Sequence, residues 1–485
     1  MSPGKEQSNT QKIAASLSHS SFKDMMNDVV AAGSCCECGS CVTVCPHNII
    51  EYINSKPRQT AKANAAFDFC GISEGVGCDV CASVCPRLWP RENHLKDMVF
   101  RNERPYEGIF GVYRHIFVAK TQREDILSNA QDGGIVTALL HWAFEKGVID
   151  GALAATVGED DPPCLPSPKI LTSTDEIKAS AGSWYTYCPN NRALEEVTKL
   201  DLKQVGFVGV PCQITPLRKM EHIDPAFLVT ERKREKFVGK QRDKLRGFSE
   251  RIKFNIGLFC TEVFTPGLMT EKIEKEMGIP LTQVSKFNIK GEVLIHKKDG
   301  GLEKIPLPEV VEKYQRPECH HCNDFSAEMA DISCGGVGTN GATLVIIRTR
   351  KGESIWRQFQ ADNTLFIETI EKNKRAWNIL LMLSRRQRNR APEGSARSGT
   401  AKDLPQYSAR IAADFNHAKL AQSQKPQKEV EASLKVAYGY ESPPGKTTAY
   451  NSGHPIPGDP GAPGPGEKRK NPPPPGPQQG GAPPC

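Results

Sequence analysis

The chain has 485 residues, a formal net charge of +7 and a mean hydropathy of −0.45. That length supports two or three domains with separate cores. The mild positive charge gives no argument for nucleic acid, and no run of about eighteen apolar residues is present to cross a membrane. Cysteine is the departure from ordinary composition, with 17 residues. Most sit in CxxC runs, without the leader or the small loop-rich chain of a secreted disulfide framework. Thiolates reserved for metal in a reducing, cytoplasmic setting are the expectation.

In chain order, residues 1–32 are polar and expected to be frayed. Residues 33–105 carry nine cysteines and little apolar periodicity, so metal must hold them together as a small α+β ferredoxin-like domain. From 106 to 350 the texture changes. "GVYRHIFVAKT", "DGALAATV", "QVGFVGV", "KFNIGLFC" and "GATLVIIRT" read as buried strands, and "GGIVTALLHWAFEKGV" and "PGLMTEKIEKEMG" as helices. Alternation of the two predicts an α/β core with a mixed sheet and flanking helices. Residues 351–390 read as a further helical section. The last 45 residues hold 14 of the 36 prolines, so 391–485 is expected to be a disordered Pro/Gly-rich tail.

Cys35, Cys38, Cys41 and Cys45 follow C-x2-C-x2-C-x3-C with Pro46 next, the bacterial ferredoxin run. In such a run three thiolates serve one cubane and the fourth serves another, which requires a second run. Cys78, Cys81 and Cys85, followed by Pro86, supply it, with Gly75 where a lead cysteine is expected and Cys70 as the substitute. One [4Fe–4S] cluster is therefore assigned to Cys35, Cys38, Cys41 and Cys85, and another to Cys45, Cys70, Cys78 and Cys81; Cys36 is left over. A zinc ribbon is the competing reading of paired CxxC motifs.

Farther on, Cys212 and Cys260 each follow a predicted strand, where an open α/β sheet forms its ligand crevice. Cys319 and Cys322 form a CxxC in a polar loop. The four thiolates are candidates for a third cluster, with Cys334 competing for a place; a lone cysteine after a strand also serves as a small core residue. "SNAQDGGIVTALL" sets Ser128, Asn129, Gln131, Asp132, Gly133 and Gly134 ahead of a helix. That is a place for phosphate or flavin edges, or for simple capping by Asp132. "GVGTNG" at 336–341 matches a dinucleotide fingerprint but precedes a strand instead of opening a helix, so it makes no case for NAD. The basic runs at 231–253 and 384–390 read as solvated helix faces or as a docking face for an acidic redox partner.

Taken together and in order, "SNAQDGGIVTALLHWAFEKGVIDGA", "GVPCQI", "GLFC", "RPECHHCNDFSAEMADI" and "GGVG" resemble the beta subunit family of coenzyme F420-reducing hydrogenase and dehydrogenases, over roughly 110–350. A two-cluster N-terminal segment also occurs in that family. The resemblance implies FAD between the clusters and coenzyme F420, with a hydrogenase, dehydrogenase or ferredoxin-type protein as redox partner, whether free or part of a membrane complex. A deazaflavin gives up a hydride and a cluster takes one electron, and a flavin can divide the pair. The resemblance marks Ser128, Asn129, Gln131, Asp132, Gly133 and Gly134 as flavin contacts, with Gly182, Ser183 and Tyr185 from "ASAGSWYTYCPNN" and Gly209 and Gln213 from "VGVPCQI" beside them. No catalytic acid or base is expected, since hydride transfer between rings needs stacking and distance. Lys290, Arg218 and Arg316 are candidates for the coenzyme's phosphate and carboxylates. More distant relatives, 7-hydroxymethyl chlorophyll reductase among them, imply the alternatives: a ferredoxin-dependent reductase of another substrate, or a non-catalytic electron-transfer adaptor.

Overall fold

The computed structural model describes residues 20–390, apart from 54–55, 61–66, 89–91, 102–105 and 224–231. The expectation of a disordered tail at 391–485 lies outside the described residues, as does most of the expected frayed N-terminus. In chain order the strands are β1 (Ile50–Ile53), β2 (Lys56–Gln59), β3 (Tyr106–Gly108), β4 (Gly111–Tyr113), β5 (His115–Thr121), β6 (Gly151–Thr156), β7 (Ser167–Leu171) and β8 (Val205–Gly209). They continue with β9 (Ile252–Leu258), β10 (Val284–Ile289), β11 (Glu292–Lys297), β12 (Leu302–Pro306), β13 (Ile332–Gly335), β14 (Thr343–Ile347) and β15 (Leu365–Thr369).

Eight of these form one mixed sheet in the order β15-β5-β14-β13-β9-β8-β6-β7. Pairing directions place β5, β13, β9, β8 and β6 in one orientation and β15, β14 and β7 in the other. The central strands are buried on both faces, which is why they read as apolar runs and not as alternating ones. One face packs under the helices Ile135–Glu145 and Arg350–Asp362, through Trp142, Trp356 and Phe359 on Ala152, Ile256 and Val345. The other is covered by Leu194–Lys199, Pro211–His222 and Lys374–Arg390, through Leu194, Leu217 and Trp377. The C-terminal ends of β5, β8, β9 and β13 therefore share one edge, where an α/β sheet opens its crevice.

Two parts differ from the sequence expectation. Residues 351–390 are not wholly helical: "LFIET" becomes β15 and adds to the edge of the sheet by pairing with β5. A short apolar run between two helices has no period of its own, and the open edge of β5 decides its state. The last residues of the N-terminal stretch are not frayed: Phe22–Asp24 and Met25–Ala31 are helical, and Phe22, Met25, Met26 and Val29 pack against Cys35, Cys45, Cys70 and Cys81. A three-stranded antiparallel sheet, β10-β11-β12, was also not foreseen. It builds its own small core from Phe287, Val293, Ile295 and Ile305 with Leu268 and Met269.

The N-terminal cysteine segment is tied to the sheet by buried polar contacts. Asn191 Nδ2 donates to Ser40 Oγ at 2.8 Å, and Lys219 Nζ donates to the Leu88 carbonyl at 2.6 Å. No helix of the described residues is long and apolar enough to cross a membrane.

Candidate functional site

The ferredoxin-type run turns on two left-handed residues, Glu37 at φ 62° and Gly39 at φ 75°. A glutamate in that conformation needs support, and ion pairs to Lys56 Nζ (2.5 Å) and Arg316 Nη2 (2.8 Å) supply it. Short helices, Ser40–Val44 and Val80–Ser83, carry Cys41 and Cys81 and pack on each other. Within this turn Cys41 lies in electrostatic range of Cys35 and Cys85, and Cys78 in range of Cys45 and Cys70. Burial first, and neighbouring thiols after it, push Cys35 and Cys78 each up to about 12. Cys70 is buried just ahead of the helix Gly71–Val76, in electrostatic range of Cys78. Among the described residues, no three His, Cys, Asp or Glu side chains close on a single-ion position.

The later cysteines meet at the edge of the sheet. Cys212 begins the helix after β8, and Cys260 follows β9, its amide donating to the Phe325 carbonyl at 2.9 Å. The turn Pro317–His321 brings Cys319 and Cys322 to the same place. All four line one cavity, together with Cys36, Arg87, Tyr187, Glu262, Arg316 and Gln387. Cys36 thus belongs to this cavity, although it sits inside the ferredoxin-type run. Arg87 closes the wall between the two: Nε donates to the Ser34 carbonyl (3.1 Å), Nη1 to that of His321 (2.6 Å) and Nη2 to that of Glu318 (3.2 Å). Burial alone would lower its pKa, but the thiols of Cys322, Cys36, Cys212 and Cys319 outweigh it and hold the guanidinium charged. Arg316 lies 4.3 Å above the Tyr187 ring.

Cys334 is not at this cavity. It points from β13 into the hydrophobic core, and burial pushes its thiol up to about 12. Cys164 and Cys188 are likewise buried core residues.

The loop after β5 lies farther along the same edge. Gly133 approaches the backbone so closely that a Cβ there would meet the Ala119 carbonyl oxygen at 2.5 Å. Gly134, at φ 69°, precedes the helix Ile135–Glu145. Gln131 Nε2 donates to Tyr185 Oη at 2.9 Å, and its carbonyl accepts from Asn288 Nδ2 at 3.0 Å. Lys290 Nζ pairs with Asp132 Oδ1 at 2.6 Å. Burial raises the Asp132 carboxyl despite this lysine. Ser128 and Asn129 are exposed on the preceding turn, and Gly182 and Ser183 are half-buried on the approach to Tyr185. Tyr185 is itself left-handed, at φ 57°, and its phenol is pushed up by burial, then by Asp132, with Cys260 also contributing. It is hydrogen-bonded to Gln131 of the loop and lies in electrostatic range of Cys260.

Several expected residues are placed elsewhere. Gln213 is buried in the cap of its helix, with Oε1 accepting from the Val210 amide at 2.9 Å and Nε2 donating to the Cys188 carbonyl. Gly209 packs under it, a Cβ there falling 2.9 Å from Gln213 Oε1. Arg218 is not a surface cation: it is buried, with Nη2 on Asp331 Oδ1 at 2.7 Å, Nη1 on Glu221 at 2.7 Å and Nε on the Met329 carbonyl. Arg316 is committed to Glu37, Glu318 and Tyr187. The basic run at 384–390 is not a solvated face, because Arg385 and Arg388 are buried and Arg388 pairs with Glu328. Of the run at 231–253, the side chains of 231–240 lie outside the described residues. The segment 336–341 joins β13 to β14 and opens no helix.

Sequence reasoning missed Cys36, Arg87, Tyr187, Glu262 and Gln387. Only Cys36 carried a signal: consecutive side chains in extended chain point to opposite sides, so Cys35 and Cys36 cannot serve one centre equally.

Comparison with known proteins places the chain. The family described as coenzyme F420 hydrogenase/dehydrogenase, beta subunit N-term, matches residues 116–195, and its C-terminus counterpart matches 202–373. The chain is 33% identical over 286 residues to coenzyme F420 hydrogenase subunit beta of Methanosarcina barkeri, covering 58% of this chain and 90% of the relative. It is 32% identical over 354 residues to coenzyme F420-dependent sulfite reductase of Methanocaldococcus jannaschii, covering 72% of this chain but 49% of that protein, so it spans about half of that relative's length. In the F420-reducing [NiFe] hydrogenase complex of Methanosarcina barkeri, one chain superimposes with a TM-score of 0.52 at 31% identity, over 59% of this chain and 92% of that one. The mixed sheet, the cysteines at its edge and these matches agree: the chain belongs to the coenzyme F420 hydrogenase/dehydrogenase beta subunit family.

Proposed function

We propose that this chain is a cytoplasmic iron–sulfur flavoprotein that exchanges a hydride between coenzyme F420 and FAD, and single electrons through three [4Fe–4S] clusters with a redox protein partner. The observation that carries the proposal is the cavity lined by Cys36, Cys212, Cys260, Cys319 and Cys322 at the edge of the sheet, with Arg87 tying its wall to the ferredoxin-type run through the Ser34 carbonyl. FAD supplies the division of an electron pair, and the clusters supply one-electron carriage.

The chain's own residues do the rest. Cys35, Cys38, Cys41 and Cys85 would hold one cluster in the small domain, and Cys45, Cys70, Cys78 and Cys81 the other. Cys212, Cys260, Cys319 and Cys322 would hold the core cluster; their chemistry suits iron, being four thiols beside the buried cations Arg87 and Arg316. Gln131, Asp132, Gly133 and Gly134 offer backbone and side-chain groups to a flavin edge, with Ser128, Asn129, Gly182 and Ser183 on the flanking turns. Tyr185 spans from this loop toward Cys260, and Lys290 sets the outer charge. Gly209 and Gln213 support the helix that presents Cys212.

The test is anaerobic. The protein is reconstituted with iron, sulfide and FAD, then mixed with reduced coenzyme F420 and a viologen acceptor. Viologen reduction that needs both coenzyme and flavin is the expected result. Bound flavin and clusters without turnover would point to another substrate with ferredoxin as donor, and failure to bind flavin would leave an electron-transfer adaptor.

A further inference from the structure

Arg87 is buried between the ferredoxin-type run and the cysteine cavity, and it lines that cavity. Its guanidinium is satisfied by three main-chain carbonyls, those of Ser34 (3.1 Å), His321 (2.6 Å) and Glu318 (3.2 Å). Each of these residues stands immediately before a proposed cluster ligand: Ser34 before Cys35, Glu318 before Cys319 and His321 before Cys322. One cation therefore holds the peptides that lead into two ligands of the core set and one of a ferredoxin-type set.

Carbonyls satisfy its N–H groups but do not cancel its charge. Among the described residues no carboxylate pairs with Arg87. The neighbouring cations differ in this. Arg316 and Lys56 share Glu37 and Glu318 at 2.5 to 3.6 Å, so two positive charges meet two negative ones. A guanidinium keeps its proton throughout the working range, and a buried charge without a counter-charge is strongly disfavoured. What Arg87 faces instead is the cavity walled by Cys212, Cys260, Cys319 and Cys322, whose thiols become anionic when they ligate iron.

We propose that Arg87 is a positioning residue whose guanidinium is the fixed counter-charge of the core cluster, raising that cluster's potential while it ties the core ligands to the Cys35 set. This deepens the cluster reading above and rests on it. In the step concerned, the reduced flavin loses one electron and the core cluster gains it, so the cavity becomes one unit more negative. A fixed positive charge in a buried site stabilises that added charge and makes the reduction easier.

The experiment uses the full chain, reconstituted anaerobically with iron, sulfide and FAD, as wild type, Arg87→Gln and Arg87→Lys. Iron and sulfide are counted, and each cluster is titrated potentiometrically with spectroscopic detection. The core cluster is recognised as the signal missing from Cys319→Ala. Arg87→Gln keeps a donor for the carbonyls and loses the charge. At a fixed poise its core cluster should show a ratio of reduced to oxidised form about tenfold below wild type, a shift of ~59 mV to more negative potential for a one-electron couple. The cluster of Cys45, Cys70, Cys78 and Cys81 should move less. Arg87→Lys, which retains the charge, should stay close to wild type. An unmoved core potential in Arg87→Gln overturns the proposal, and so does an equal shift at all three clusters or an equal fall in both variants. If Arg87→Gln fails to take up the core iron, Arg87→Lys decides: wild-type iron and potential uphold the proposal, and loss of either overturns it. If the wild-type protein takes up no iron and sulfide, it is the cluster reading of the chain that fails, before any variant is compared.

Discussion

The small cysteine domain and the α/β sheet solve the same problem by different means. Around the sheet, the interior is hydrocarbon: Trp142, Trp356, Phe359, Ile256 and Val345 fill one face. In the N-terminal segment, one cluster of thirteen buried residues holds five cysteines beside Phe22, Met25, Met26, Val29, Val42, Ile50, Ala82 and Leu88, while Val44, Val80, Val84 and Leu95 pack with Leu153 and Phe207 of the sheet. Order in the first region is therefore expected to lean more on what its thiols bind than order in the sheet does. The buried arginines at 87 and 316 lie where the two kinds of interior adjoin, through Ser34 and Glu37 on one side and Glu318 on the other.

The largest effect should come from removing iron. Chelation under reducing conditions should collapse amide protection in Ser40–Val44 and Val80–Ser83, while β5, β8 and β9 keep theirs, because eight of the twelve proposed ligands lie in the first region and the sheet has a hydrocarbon core of its own. Hydrogen exchange followed by mass spectrometry reads this directly. Uniform loss across both regions would show that the sheet also depends on the metal.

Next in size is Arg388→Ala. Its guanidinium pairs with Glu328 and donates to the Ile109 carbonyl at 3.0 Å, all buried. Stranding the glutamate should cost about 3–5 kcal/mol, measured as a shift in the denaturant midpoint of the sheet region. A change below about 0.5 kcal/mol would return 384–390 to the status of a surface run.

Gly336→Ala separates the flavin-type loop from the core. A Cβ at 336 would fall 1.6 Å from Asp132 Oδ2, so the Asp132–Lys290 pair must move. FAD affinity should drop by about tenfold, or ~1.4 kcal/mol, with iron content unchanged. Equal affinity in a flavin titration would remove Asp132 from the flavin site.

The smallest effect concerns the surface of the sheet. Burial would push the Glu353 carboxyl up, but hydrogen bonds from His115 and Arg114 outweigh it and hold it down at about 2. A depressed acid contributes stability above its unfolded value, about 4.3, and loses it as pH falls toward 2. Glu353→Gln should flatten the acid side of the stability curve between about pH 4.5 and 2, where the wild type declines. Identical acid limbs would show that the ion pairs of Glu353 add nothing.

Much of the sheet was legible in the chain because its central strands are buried on both faces and its helices carry apolar stripes; "VGFVG" and "IVTALLHWAFE" could hardly be read otherwise. The two cysteine runs were legible as motifs, since the spacing within each is a local property of the chain. β15 was not, because "LFIET" becomes a strand only when it meets the edge of β5. Nor was the burial of Arg385 and Arg388, since charge along a helix says nothing about which face a neighbouring layer covers. Arg218 misled for the same reason: its partner, Asp331, is more than a hundred residues away.

By itself, then, the sequence determined which residues bring thiols in clusters, where strands and helices fall, and which family's motifs run in order through the middle of the chain. These are decided by spacing of a few residues, where covalent geometry does the positioning. The tertiary structure alone decided that Cys36 lines one cavity with Cys212, Cys260, Cys319 and Cys322, that Cys334 does not, and that Tyr185 bonds to Gln131 of the loop after β5. Those outcomes depend on the order of strands in the sheet, and strand order is set by packing among residues far apart in the chain, which no local pattern records.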